Sequence, residues 1–131
     1  MKVVIDPNVI LDVLLKREPY YQASAKVLEK VSADDLEGYI PATCAADIYE
    51  KLSRELGDSE ETYEVFRGVM QKLSTLTVSN DDVMHALDDG GDFESSLVAV
   101  CAESNRCSEI ITRDPATFSR SGIRIVRPEE M

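Results

Sequence analysis

Positive charge is scarce in this chain: 14 Lys and Arg stand against 25 Asp and Glu, for a formal net charge of −11. Bulk charge therefore argues against sequence-independent binding to nucleic acid, and a polyanionic substrate would need local help. Cysteine is also sparse. Cys44, Cys101 and Cys107 are odd in number and lack metal-ligand spacing, which argues against a disulfide framework or a zinc site and for a reducing, cytoplasmic home. No apolar run approaches the length of a membrane span, and the apolar start is too short for a signal peptide and contains Asp6. A soluble, unexported protein without a membrane partner is expected. His85 is the only histidine and falls on a short polar helix, where a surface position is expected. With no internal repeat, linker or low-complexity segment, the 131 residues read as one domain, 1–131.

What is present is organised around the first dozen residues. Val3, Val4 and Ile5 are β-branched and uninterrupted, as suits a strand buried on both faces of a parallel sheet. Asp6 then stands at the strand's carboxyl end. Pro7 fits the first turn of a helix running through Val9, Ile10, Val13 and Leu14. Asp6 reads equally well as the N-cap of that helix and as a ligand facing the crevice where open α/β sheets bind.

Further along, Tyr20, Ala23, Val27, Leu28 and Val31 return at helical spacing, predicting a helix hairpin broken near Pro19, with Tyr20 and Tyr21 packing it. Residues 38–42 predict a second strand. Ile48, Leu52 and Leu56 line the next helix, which Gly57 stops, and Asp47 lies early in it on the side facing the strand ends. A helix over 59–73, a strand over 76–78 and a short helix capped by Ser79 or Asn80 follow. Gly90 and Gly91 form a break before a helix over 92–105 whose buried line is Phe93, Leu97, Val100 and Cys101. Strands at 109–112 and 123–126, the latter at an edge, complete the pattern. Alternating strands and helices imply α/β architecture: a three-layer α/β/α fold with a central, mainly parallel sheet of about five strands.

In such a sheet Asp6 and Asp114 each follow a core strand and point into one crevice, although more than a hundred residues separate them. Asp47 and the helix start at Asp92 could line it too. Clustered carboxylates raise one another's pKa values unless a hard cation such as Mg²⁺ or Mn²⁺ neutralises them. The C-terminal arginines Arg106, Arg113, Arg120, Arg124 and Arg127 read either as a solvated face or as a phosphate track.

The start Val-Val-Ile-Asp6-Pro-Asn8-Val-Ile-Leu-Asp12, the helix carrying Asp47, the segment Asp92-Phe-Glu-Ser95-Ser-Leu and the ending Ile-Ile-Thr112-Arg113-Asp114-Pro-Ala-Thr-Phe118 together resemble a PIN domain, in particular the bacterial branch of VapC-like toxins. The resemblance spans essentially the whole chain. It implies an often dimeric α/β/α protein that hydrolyses RNA phosphodiesters with Mg²⁺ or Mn²⁺ held by three or four acids, leaving a 5′-phosphate and a 3′-hydroxyl, and that an antitoxin protein can silence. Carried over by position, Asp6, Asp47 and Asp114 are the catalytic acids, with Asp6 and Asp114 as metal ligands. Asn8 helps hold the cluster. Pro7 stands where Thr or Ser is common.

The departure is Ser95, where the family's third acid is normally an Asp. Asp92, one turn earlier, either reaches the metal directly or through water, or merely caps its helix. Glu94, rotated by roughly a quarter turn, is the weaker substitute. Thr112 and Arg113 either contact phosphate or serve as a strand residue and a screening charge. Glu50 reads as a solvated partner of Arg54 at (i, i+4). Two functions compete: a metal-dependent ribonuclease, and a catalytically degenerate PIN domain that binds protein or RNA. A receiver-like signalling domain fits less well, because it lacks an Asp after a middle strand and a late Lys.

Overall fold

The computed structural model describes residues 1–118 and 121–131, so Arg120 lies outside the described residues. Strands β1 (Lys2–Ile5), β2 (Glu37–Pro41), β3 (Ser74–Leu76), β4 (Glu109–Ile111) and β5 (Arg124–Val126) form one all-parallel sheet in the order β3-β2-β1-β4-β5. Central β1 is sealed on both faces: Val3, Val4 and Ile5 have no exposed surface, and Ile110 and Ile111 of β4 match them. An unbroken β-branched run has this physical meaning, since neither face offers a polar side chain a partner.

Helices α1 (Pro7–Leu14), α2 (Tyr21–Ser32), α3 (Ala42–Leu56) and α4 (Ser59–Met70) form one contacting group. Helix α5 (Asn80–Asp89) packs on α6 (Phe93–Ser104), which lies against β1, β2 and β4. The architecture is the expected three-layer α/β/α. Gly57 ends α3 in the left-handed conformation at φ 65°, which a residue without Cβ adopts freely. Gly38 is required for space: a Cβ there would lie 2.9 Å from Val31 Cγ2 and 3.0 Å from Leu73 Cδ2. Strand β2 therefore approaches its helical cover closely.

Several boundaries differ from the sequence reading. Strand β3 begins at Ser74 and ends at Leu76, because its ladder partner β2 ends at Pro41 opposite Leu76 and leaves Thr77 and Val78 nothing to pair with. Helix α4 stops at Met70, and Leu73 is buried in the turn after it. Phe93 is 42% exposed rather than on the buried line: it is the first residue of α6, just past the cap, where the helix has not yet reached the sheet. Tyr20 precedes α2 as its N-cap residue and is 40% exposed. Among the described residues, no helix is long and apolar enough to cross a membrane.

Candidate active site

The sheet order places β1 between β2 on one side and β4 on the other. The chain thus winds in opposite directions from β1, and the β1/β4 boundary is the topological switch point where open α/β sheets bind ligands. Asp6 and Asp114 sit there. The Asp6 amide donates to Ile111 O at 2.9 Å, which ties the two strand ends together. Asp6 Oδ1 also accepts from the Asn8 amide at 3.5 Å, so this residue both caps α1 and faces the crevice. Asn8 contributes through its backbone, and its side chain lies on the exposed surface.

Thr112 joins the two carboxylate positions. Fully buried, it donates its hydroxyl to Asp6 Oδ2 at 2.7 Å, and its Oγ1 accepts from the Asp114 amide at 3.0 Å. Its own amide donates to Val126 O at 3.0 Å, and Thr117 Oγ1 donates to Asp114 O at 3.0 Å. Burial pushes the Asp6 carboxyl above its ordinary value. The Thr112 hydroxyl, the Asn8 amide and the Arg113 charge oppose this shift, and the negative charge of Asp114 adds to it.

Asp47 and Glu94 form a second carboxylate group. They line a cavity of about 470 Å³ between α3 and α6, together with Cys44, Val83, Phe93 and Leu97. The Cys44 thiol reports their field: burial, then Glu94, Asp47 and Asp6, push it up to about 12, so it stays protonated and unreactive. Asp92 and Ser95 lie elsewhere on α6, lining a cavity of about 240 Å³ with Gly90, Gly91 and Thr117. Asp92 Oδ2 accepts from the Ser95 amide at 3.0 Å, which holds its carboxyl below the usual range. This is an N-cap. Glu94, rotated from Ser95 about the helix, lines the cavity with Asp47, whereas Asp92 does not; which side of α6 turns toward α3 is set by tertiary packing.

Among the described residues, no three His, Cys, Asp or Glu side chains converge tightly enough to hold a metal unaided. The donor chemistry nevertheless fits a hydrated Mg²⁺ or Mn²⁺, which takes oxygen ligands, keeps its waters and needs only one or two protein carboxylates. Asp6, raised by burial and by Asp114, is the group such a charge would relieve.

The sequence reading passed over Asp12, which has no exposed surface. It accepts a charge contact from Arg113 Nε to Oδ2 at 2.7 Å, and Arg17 Nη1 lies 3.6 Å from Oδ1. Burial raises its carboxyl, and the charges of Arg113 and Arg17 oppose that rise. Arg113 also lies over the Tyr20 ring, 4.1 Å from its centroid, and its carbonyl accepts from Arg127 Nη1 at 3.2 Å. An acid on the apolar face of α1, between Leu11 and Val13, was the available signal. The described arginines do not form one phosphate track: Arg113 pairs with Asp12, and Arg124 Nε lies 3.5 Å from the buried Glu109. Glu50 pairs with Arg54 at 2.6 Å, and His85 is exposed, 3.6 Å from Asp89.

A parallel α/β/α domain with an acid after each of two neighbouring strands at its switch point is a distinct class of protein. The PIN domain model matches residues 2–116, and the chain belongs to the PIN domain family. Among solved structures, it is similar to DNA-bound VapBC from Salmonella typhimurium (18% identity, TM-score 0.74, covering 98% of each chain). It also resembles VapBC2 from Rickettsia felis bound to a promoter DNA fragment (14% identity, TM-score 0.72, 97% of this chain and 98% of that one). A third is a toxin-antitoxin complex from Klebsiella pneumoniae (18% identity, TM-score 0.71, 98% and 99%). No curated protein matches the chain in sequence.

Proposed function

We propose that this protein is a divalent-metal-dependent endoribonuclease, the toxin of a toxin-antitoxin pair. The observation that carries the reading is the Asp6–Thr112–Asp114 hydrogen-bonded chain at the switch point. In that chain the Thr112 hydroxyl goes to the Asp6 carboxylate and accepts the Asp114 amide, so the strand-end acid Asp6, raised chiefly by burial, is tied to the segment that carries a second acid. Family membership and the toxin-antitoxin assemblies of the structural neighbours support the biological role.

In this reading Asp6 and Asp114 hold Mg²⁺ or Mn²⁺. The ion would supply Lewis acidity, making water a better nucleophile and neutralising charge that develops on the phosphate. Thr112 keeps one Asp6 oxygen in a fixed direction. Asp47 and Glu94, which line one cavity, would orient water, with Glu94 taking the part that the missing acid at Ser95 leaves open. Asp92 remains a cap. The protein works in the cytoplasm, as a homodimer in its free form and bound to an antitoxin protein when silenced.

The test is cleavage of a mixed structured and unstructured RNA pool with Mn²⁺ or Mg²⁺, comparing wild type, Asp114→Asn and an EDTA control. Loss of cleavage in both controls supports the nuclease. Ser95 motivates the second reading, a PIN domain that has lost catalysis and binds protein or RNA. If wild type is folded and inactive, Ser95→Asp discriminates: gain of cleavage marks a poised site that lacks one ligand, and no gain favours the binding role or a site rebuilt around Asp92.

A further inference from the structure

We infer that Arg113 is a positioning residue rather than a phosphate ligand, and that buried Asp12 is the anchor through which it acts. The inference rests on the nuclease reading for its kinetic consequence, but not for its structural one. Arg113 occupies the middle of the Thr112–Arg113–Asp114 turn, so its side chain and the two flanking residues cannot move independently. Its Nε sits 2.7 Å from Asp12 Oδ2, and its guanidinium lies over the Tyr20 ring at 4.1 Å. The partner carboxylate is fully buried, and withdrawing Arg113 would leave it with Arg17 alone, at the longer distance of 3.6 Å, which is costly in the interior. A guanidinium held this way is not free to swing onto a phosphate.

The geometry gives this anchor a specific task. Helix α1 carries Asp6 before its first turn and Asp12 six residues later, and the 112–114 segment meets both: Thr112 Oγ1 donates to Asp6 Oδ2, and Arg113 forms an ion pair with Asp12. The turn is thus fastened to one rigid helix at two points, and the register of Asp114 against Asp6 follows from that. Arg127 adds a third tie through the Arg113 carbonyl at 3.2 Å. Tyr20, just before α2, fixes the plane of the guanidinium. Arg and Lys differ here, because only a planar guanidinium can place Nε beside a carboxylate while its face lies over a ring.

The experiment compares Arg113→Lys and Tyr20→Leu with wild type in the full chain, measuring kcat and KM for RNA and hydrogen exchange of the Asp114 amide. Tyr20→Leu sits at the surface and keeps the buried charge pair, so it remains informative if Arg113→Lys fails to fold. The expected result is a fall in kcat of about tenfold or more with KM nearly unchanged, since small misplacement of a reacting group is costly. Asp114 amide exchange should accelerate by roughly tenfold, as a loosened turn opens locally. A raised KM with unchanged kcat in Arg113→Lys would mark a phosphate contact and overturn the inference. Wild-type exchange at Asp114 in both variants would overturn it as well. If wild type cleaves no RNA, the nuclease reading fails by itself, and the exchange measurement alone decides whether the clamp exists.

Discussion

Asp6 is one residue asked to do two incompatible things, and its ionisation shows the conflict. As the cap of α1 it should be stabilised as an anion, yet burial and Asp114 leave its carboxyl raised. A raised carboxylate pKa means that ionising the group opposes folding. Its unfavourable contribution is absent below the ordinary carboxylate value and grows as pH rises through the folded-state pKa. Asp6→Asn keeps a capping oxygen and removes the charge. Its Tm in EDTA at neutral pH should therefore exceed that of wild type while cleavage is lost; a lower Tm would show that the charge stabilises the fold. Thr112→Val removes the hydroxyl that orients Asp6, and cleavage should fall about 10–100-fold, the usual effect of losing a group that holds a metal-binding carboxylate. Thr112→Ser should recover most of it. Glu94→Gln and Asp92→Asn separate the two acids at the start of α6: Glu94→Gln should reduce cleavage strongly, whereas Asp92→Asn, still a good cap, should cleave as wild type does.

At the scale of elements, caps and close approaches carry the predictions. Helix α5 is held by a capping box, in which Ser79 Oγ accepts from the Asp82 amide and Asp82 Oδ2 accepts from the Ser79 amide at 3.0 Å, while Ser104 donates to Asp82 Oδ1 at 2.7 Å. Asp82 and Asp92 have lowered carboxyl pKa values, from the Ser79 and Ser95 amides first. Their stabilisation is present above the ordinary carboxylate value and disappears as pH falls through the folded-state values. Asp92→Ala should cost about 1 kcal/mol at neutral pH, measured by urea unfolding, and this cost should shrink in acid. Gly38→Ala should cost about 1–3 kcal/mol, because the new Cβ meets Val31 and Leu73 in a packed interior. A midpoint unchanged in urea would mean that β2 and its helical cover can separate freely.

For the whole molecule, if the nuclease reading holds, the net charge of −11 and the ion pairs of Arg113 with Asp12 and of exposed Arg124 with Glu109 place association with RNA under repulsion. Most basic nucleic-acid binders lose affinity as salt rises, through counterion release. Here screening should act the other way. At fixed Mg²⁺, kcat/KM should hold or rise as NaCl increases from low to physiological ionic strength, and a steep fall would reveal a basic surface that these pairings do not account for.

The sequence by itself determined the α/β class, the parallel sheet and the two strand-end acids, because each depends on local pattern. Residues 3–5 suit a doubly buried strand, Pro7 suits the first turn of a helix, and an acid follows each of two buried strands, directly at Asp6 and three residues past the strand end at Asp114. The spacing around Gly90 and Gly91 also marked Asp92 as a cap candidate. What spacing could not reach was anything set by the neighbour across a gap. The end of β3 follows from where β2 ends. Whether Asp92 or Glu94 shares a cavity with Asp47 depends on which side of α6 is turned toward α3. Arg113 reads as a free cation until α1 brings Asp12 beneath it, 101 positions earlier in the chain. Periodicity records which face of an element is apolar, and only packing decides what that face meets.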